Sequence, residues 1–237
     1  MKKKNRLPSF SIILPFFNEE ENLKILIPKI LKVLKKIKNS YRIILIDDLS
    51  TDKSLKICKN LAKKQKKLKI YKLNKKGGQT GAIKLGLSKN KLQYAIFMDS
   101  DLQDDPIYLP KFVTKINSKL DLVVGKRISR NPPFIIVVAT KVFDQMMELF
   151  FKKRIETYRS PFIAAKSIFF KKLPWNRNDH RYLVPISIYK GASTFGSIEY
   201  VLKKRKHGNS NYNTRLKVIP GFFEVIILLL RFAFKLY

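Results

Sequence analysis

Regular alternation of short apolar runs with amphipathic stretches restricts the first half of this chain to very few architectures. Residues 9–16, 42–46, 69–73, 94–98 and 122–125 read as strands, each short and apolar. Residues 20–38, 54–64, 79–87 and 107–120 read as the helices between them. The first of these puts Leu23, Leu26, Ile27, Ile30, Leu34 and Ile37 on one face and acidic residues at its N-terminal end, where the helix dipole favours them. The second turns Leu55, Cys58, Leu61 and Ala62 inward. Such a pattern predicts an α/β fold, a Rossmann-like, mostly parallel sheet flanked by helices. Ligands of these sheets collect at the carboxyl ends of the strands. Polar clusters fall at those ends: Asn18-Glu19, Asp47-Asp48, residues 74–79, and residues 99–103.

A chain of 237 residues, 45% of them hydrophobic, holds one sizeable domain plus an appendage and is not disordered by composition. Lysine and arginine number 50 against 17 acids, a net charge of +33. That excess suits nucleic acid, an anionic membrane surface or phosphorylated substrates, and part of it is ordinary solvated helix surface. The lone Cys58 excludes a disulfide framework and a thiolate metal site. Lys2-Lys3-Lys4 before Phe10-Ser11-Ile12-Ile13-Leu14 resembles a leader, but the apolar stretch is too short and is followed by Asn18-Glu19-Glu20-Glu21. It reads as a first strand of a cytoplasmic protein.

The second half is less regular. Asn131-Pro132-Pro133 breaks the chain, and residues 134–151 form an apolar helix carrying Lys141, Asp144 and Glu148. Residues 218–236 are strongly apolar but interrupted by Glu224 and Arg231. Neither stretch reaches the roughly 20 uninterrupted apolar residues of a spanning helix. The expectation is a catalytic unit over 1–217, with 131–151 as either a core helix or an interfacial one. Residues 218–237 are expected to be an amphipathic membrane-association segment.

The chemistry centres on Asp99-Ser100-Asp101, directly after the buried run Tyr94-Ala95-Ile96-Phe97-Met98. Two carboxylates one residue apart at a strand end suit an oxygen-loving Mg²⁺ or Mn²⁺ that carries a diphosphate. Gln103 can add an amide oxygen or orient the ion. Asp47-Asp48 can accept hydrogen bonds from a base imide or a ribose hydroxyl, while Ser50, Thr51 or Asp52 can cap the following helix. Arg127, Lys204 and Arg205 are candidate phosphate clamps. His180 and His207 have no metal-ligand spacing.

Taken in order, these residues resemble glycosyltransferase family 2, of GT-A fold, over residues 9–212, and within it the polyprenyl-phosphate glycosyltransferases. Pro15-Phe16-Phe17-Asn18-Glu19 is similar to P-x-Y-N-E, and Asp47-Asp48-Leu49-Ser50 to D-D-G-S with leucine for glycine. Asn74-Lys75-Lys76-Gly77-Gly78-Gln79 resembles the glycine loop before the third helix. Asp99-Ser100-Asp101-Leu102-Gln103 resembles D-A-D-L-Q, Gly125-Lys126-Arg127 resembles G-x-R, and residues 205–212 resemble R-x-x-G-x-S-x-Y.

The resemblance implies donor contacts from Pro15, Phe17, Glu19, Ile46, Asp48, Asp99, Ser100, Asp101, Arg127 and Arg205, with Asp47, Gly78, Gln79 and Lys204 as further donor-site candidates. It implies a metal on Asp99, Asp101 and Gln103, and inversion at the anomeric carbon. Asn211 stands where relatives often have lysine. Arg159-Ser160-Pro161-Phe162-Ile163 lacks the acid that many relatives carry there, so their proposed base is missing. A hydroxyl acceptor wants such a base. A lipid monophosphate, with a second pKa of about 6, is already ionised and does not.

The expected activity is therefore transfer of a sugar from a UDP- or GDP-linked donor to a polyprenyl phosphate at the cytoplasmic membrane face. Asp99, Asp101 and Arg205 are its expected catalytic groups, no nucleic acid is involved, and a homo-oligomer is compatible. Two alternatives stand beside it. One is transfer to a sugar hydroxyl in surface-polysaccharide assembly, with Asp179 as base. The other is a non-catalytic basic module for nucleic acid or anionic lipid.

Overall fold

The computed structural model describes residues 6–128, 134–203 and 218–237. Its strands are β1 (Phe10–Phe16), β2 (Tyr41–Asp47), β3 (Leu68–Lys72), β4 (Tyr94–Phe97), β5 (Leu122–Ile128), β6 (Ile163–Lys166) and β7 (Phe195–Val201). Its helices are α1 (Glu20–Leu34), α2 (Ser54–Lys63), α3 (Gly78–Lys89), α4 (Leu109–Asn117), α5 (Phe134–Phe151), α6 (Leu183–Tyr189) and α7 (Val218–Ala233). The seven strands form one sheet in the order β3-β2-β1-β4-β6-β5-β7. Pairings are parallel except that β6 runs antiparallel to both β4 and β5. Six strands therefore point their carboxyl ends to one edge, and β6 alone points away.

Both faces of the sheet are covered. On one, Phe10, Ile12, Leu14 and Phe16 of β1 join Leu23, Leu26 and Ile27 of α1 and Phe112 and Ile116 of α4. On the other, Ile13, Ile44 and Ile46 meet Ala82 and Ile83 of α3, and the same layer continues through Met147 of α5, Ile186 of α6 and Leu228 of α7. Side chains of successive strand residues alternate between these two layers, so a central strand buried on both sides must be apolar throughout.

The alternation read from the sequence is present, with shifted bounds. The helix expected over 20–38 stops at Leu34, and the one expected from Ile107 opens as a 3₁₀ turn, Pro106–Tyr108, before α4. β5 runs on to Ile128 because it pairs along its whole length with β7. β6 and β7 were not expected. β6 is four residues with two alanines, and β7 (Phe-Gly-Ser-Ile-Glu-Tyr-Val) has a weak pattern broken by Gly196. Gly125 allows β5 to lie against Phe162: a Cβ there would meet the Phe162 carbonyl oxygen at 2.7 Å.

Asp121 ties the edge opposite the strand carboxyl ends. It accepts hydrogen bonds from the Ser193 and Thr194 backbone N–H groups and the Ser193 hydroxyl, and pairs with Lys166 at 2.6 Å. Burial alone would raise its carboxyl, but these donors hold it well below the usual carboxylate range. A depressed carboxyl stabilises the fold above its unfolded pKa of about 3.9, and that contribution is lost as pH falls below it. Asp121→Ala is expected to lower the unfolding free energy by about 3 kcal/mol at neutral pH, since it strands several donors. The deficit relative to wild type should shrink below pH ~4 in denaturant titrations.

Candidate functional site

The carboxyl edge of the sheet is built from loops that satisfy one another. Asn18, after β1, receives the Thr51 N–H on its side-chain oxygen at 2.8 Å and gives its own backbone N–H to the Ser50 hydroxyl at 3.0 Å. Glu19 N–H goes to the Ser54 hydroxyl, and Asp52 accepts from both Glu20 and Ser54 N–H. None of Ser50, Thr51 and Asp52 is the N-cap of α2, which is Lys53; Asp52, one residue earlier, holds the starts of α2 and α1 together. Asp47 accepts from Ser50 N–H, a turn that holds Leu49 at φ 64°. A left-handed residue is needed there, the conformation for which glycine carries no Cβ penalty.

Asp48 closes the far side. Its carboxylate takes the Gly77 N–H at 2.8 Å, fixing the approach to α3. Two residues on, the Gln79 side-chain amide donates to Asp99 Oδ1 at 2.7 Å. β2, α3 and β4 are therefore joined by two hydrogen bonds at the strand ends. Phe17 is partly exposed, with the Lys76 ammonium 3.7 Å from its ring centroid. Pro15 lies in β1 opposite Ile46 of β2. The Ile46 side chain is fully buried in the layer beneath α3, against Gly86, which leaves its backbone as the part able to meet a ligand.

Asp99, Asp101 and Asp104 follow β4 within one short loop. Asp101 Oδ1 accepts the Gln103 N–H at 3.0 Å across Leu102, which sits at φ 65°. Asp104, 1% exposed, accepts the Asp99 N–H through Oδ2 at 3.4 Å, while its buried Oδ1 has no hydrogen-bond partner among the described residues. Burial, then the charges of Asp104 and Asp101, push the Asp99 carboxyl up to about 7 against the pull of Arg127 and Gln79. Burial likewise raises Asp104 to about 6, opposed by the Asp99 N–H and by Arg127. Arg127, exposed near the end of β5, thus faces both acids, and the Tyr200 phenol from β7 is raised by burial and by Asp104.

Asp105 anchors the neighbouring chain. It caps the 3₁₀ turn by accepting Ile107 N–H at 3.0 Å and binds Lys29 at 2.7 Å and Lys203 at 2.5 Å. Burial works against the charge, but the two ammonium groups hold this carboxyl below its ordinary range. Lys203 N–H also donates to the Gln103 carbonyl at 3.0 Å, and the Gln103 side-chain amide donates to the Lys203 carbonyl at 3.4 Å. The carboxylate loop is thereby tied to the end of β7. Lys204 and Arg205 lie outside the described residues.

The structure thus gathers Glu19, Asp47, Asp48, Gly78, Gln79, Asp99, Ser100, Asp101, Gln103 and Arg127 at one edge. Asp179 is elsewhere engaged: 1% exposed, it accepts the Tyr237 hydroxyl at 2.7 Å and the Asn176 N–H at 2.7 Å, with Arg231 at 3.6 Å. Asp104, Asp105 and Tyr200 escaped the sequence reading. The Asp-Asp-Pro run after Gln103 was visible, but nothing in it told a buried acid from a turn.

Comparison with known proteins places this geometry. The family model of glycosyl transferase family 2 matches residues 11–174, and the chain belongs to that family. It is similar to undecaprenyl-phosphate 4-deoxy-4-formamido-L-arabinose transferase of Photorhabdus laumondii, 30% identical over 143 residues, covering 60% of this chain and 44% of the relative. It is also similar to dodecaprenyl-phosphate galacturonate synthase of Rhizobium johnstonii, 26% identical over 228 residues, covering 94% and 66%. The chain therefore spans from under half to about two thirds of the length of these relatives. Among solved structures, glucosyl-3-phosphoglycerate synthase of Mycobacterium tuberculosis with Mn²⁺, uridine diphosphate and glucosyl-3-phosphoglycerate superposes with TM-score 0.64 at 16% identity, covering 94% of this chain and 79% of that one. That likeness establishes the GT-A fold.

Among the described residues no three carboxylate, imidazole or thiolate groups form a ready cage for a metal. Mg²⁺-type sites characteristically use one or two carboxylates and complete their shell with substrate phosphates and water. An all-oxygen set in which the Asp101 and Asp104 charges help to raise the Asp99 carboxyl fits such a cation. A carboxyl at about 7 would have to lose its proton to hold a cation, so Mn²⁺ affinity is expected to strengthen about fivefold between pH 6 and 7 and to level off above pH ~8. Electron paramagnetic resonance of free Mn²⁺ reads this, and Asp99→Asn should flatten the slope.

Proposed function

We propose that this chain moves a sugar from a nucleoside-diphosphate donor, UDP- or GDP-linked, to a polyprenyl phosphate, with inversion. The observation that carries the reading is the buried carboxylate loop after β4, faced by Arg127 at the carboxyl edge of the sheet. Both relatives named above act, by their names, on a prenyl phosphate. Asp99, Asp101 and the Gln103 amide oxygen would hold Mg²⁺ or Mn²⁺, which neutralises a departing diphosphate. Arg127 adds a fixed cation beside the same acids, and Lys204 and Arg205 are assigned to the diphosphate with it. Asp48 fixes the glycine turn before α3, and Phe17 offers an aromatic face beside Lys76.

The acceptor reading rests on proton balance. A phosphate oxygen attacks the anomeric carbon as the diphosphate leaves, and no proton need be removed from it near neutral pH. Asp179, the carboxylate considered as a base for a hydroxyl acceptor, is buried and occupied by Tyr237 and Asn176. Labelled nucleotide sugars with undecaprenyl phosphate and Mn²⁺ should give organic-extractable label. Asp101→Ala should reduce that turnover at least about 100-fold. Label appearing only with a glycan acceptor would replace the lipid reading, and no turnover with any donor would refute both.

We further infer a lipid surface as the working location, at the cytoplasmic face, with 1–217 as the catalytic unit and 218–237 as its membrane-contacting appendage. No described helix is long and apolar enough to cross a membrane. α7 instead has two apolar faces. Val225, Leu228 and Phe232 are buried, while Phe223, Ile227 and Leu230 are exposed at helical spacing, and Phe234 is exposed in the turn that follows. α5, which packs beside α7, exposes Phe134, Val138, Val142 and Leu149. Interfacial helices bury such a face in the headgroup region, and the +33 charge adds attraction to anionic lipid. Replacing Phe223, Ile227, Leu230 and Phe234 by serine should abolish co-sedimentation with phosphatidylglycerol vesicles while leaving the melting temperature within a few degrees. Undiminished sedimentation would place the contact elsewhere.

A further inference from the structure

The 3₁₀ turn Asp179–Tyr182 touches two distant parts of the molecule at once. On one side, His180 Nδ1 lies 2.7 Å from the Thr80 hydroxyl, in the first turn of α3. Gln79, the residue before Thr80, is the one whose amide donates to Asp99 at 2.7 Å. On the other side, Asn178, Arg181 and the Tyr182 hydroxyl all donate to Glu224 of α7, at 2.8, 3.0 and 3.2 Å. Asp179 adds the Tyr237 hydroxyl and the Arg231 ion pair. Glu224 and Arg231, the charges that interrupt the apolar C-terminal stretch, are therefore docking groups.

The start of α3 has little stiffness of its own. It opens on Gly77 and Gly78, the second at φ 61°, and no side chain caps it. Glycines leave the backbone many conformations, so the position of this turn must be imposed from outside. Outside holds include Asp48 on Gly77 N–H and His180 on Thr80. Burial, and after it the charge of Arg181, lowers the His180 imidazole to about 4, so at neutral pH the ring is uncharged. It holds Thr80 through one shared hydrogen bond and brings no positive charge to the start of α3.

We propose that His180 is a positioning residue of the donor site: through Thr80 it holds the start of α3, and with it the Gln79 amide on Asp99, while α7 holds the turn that carries His180. The seating of α7 is thereby coupled to cation and diphosphate affinity at a site reached through α3. This rests on the reading of the β4 loop as a cation–diphosphate site.

The probes are Mn²⁺ and inorganic pyrophosphate on the full chain, with free Mn²⁺ followed by paramagnetic resonance. Outer-sphere partners of metal ligands are worth about 10- to 100-fold in affinity, and a contact one step further out should be worth about 3- to 10-fold. Thr80→Val and His180→Ala should each weaken Mn²⁺–pyrophosphate binding by that amount, and the double variant should be no weaker than either alone, as expected for partners in one contact. Thr80→Ser should restore wild-type affinity. Glu224→Ala should weaken binding in the same direction. Thr80→Val is near-isosteric, and an unchanged melting temperature with lowered affinity separates positioning from folding. Wild-type affinity in Thr80→Val and His180→Ala, or losses that simply multiply in the double variant, would overturn the inference. If the wild type itself binds no Mn²⁺ with pyrophosphate, the cation-site reading fails first, and the inference falls with it.

Discussion

Asp99 and Asp104 place two negative charges within one short loop at the end of a buried strand, and Asp101 adds a third. Like charges so close, with little water between them, resist ionising together, and burial with the charges of neighbouring acids lifts Asp99 and Asp104 toward neutrality. The chain answers with the Gln79 amide, the Asp99 N–H on Asp104 and the Arg127 guanidinium. None of these neutralises the whole loop. On the proposed reading a divalent cation supplies the missing positive charge and in turn draws the diphosphate. β5 brings Arg127 to these acids, the chain after β7 brings Lys203 to the neighbouring Asp105, and β2 brings Asp48 to the turn that carries Gln79.

Parallel topology makes this arrangement possible. Because six strands end at the same edge, residues 100 positions apart in sequence meet there, as Gln103 and Lys203 do. The antiparallel β6 is the exception that lets β5 and β7 join the same edge from the second half of the chain. The two halves are then pinned from below by Asp121, which serves β5, β6 and the turn before β7 together.

Much of the carboxyl edge was legible in the sequence. Asp48, Asp99 and Asp101 follow strongly apolar strands, and their types alone speak for oxygen ligation and hydrogen bonding. Asp104 was not legible as a site residue, since its burial depends on Tyr200 arriving from β7, a strand whose own pattern is weak. Asp179 looked like a free carboxylate for the same reason: its partners Arg231 and Tyr237 lie more than 50 residues further along the chain. Glu224 and Arg231 read as flaws in an apolar segment, because hydropathy cannot distinguish a charge in lipid from one seated on a protein surface.

The most direct test of a cation-held diphosphate at the β4 loop is calorimetric titration of uridine and guanosine diphosphates into the full chain with and without Mn²⁺. Binding of one nucleotide should require the metal and should disappear in Asp101→Asn, whose side chain keeps its shape and loses its charge. Equal affinity with and without Mn²⁺, retained in Asp101→Asn, would contradict it.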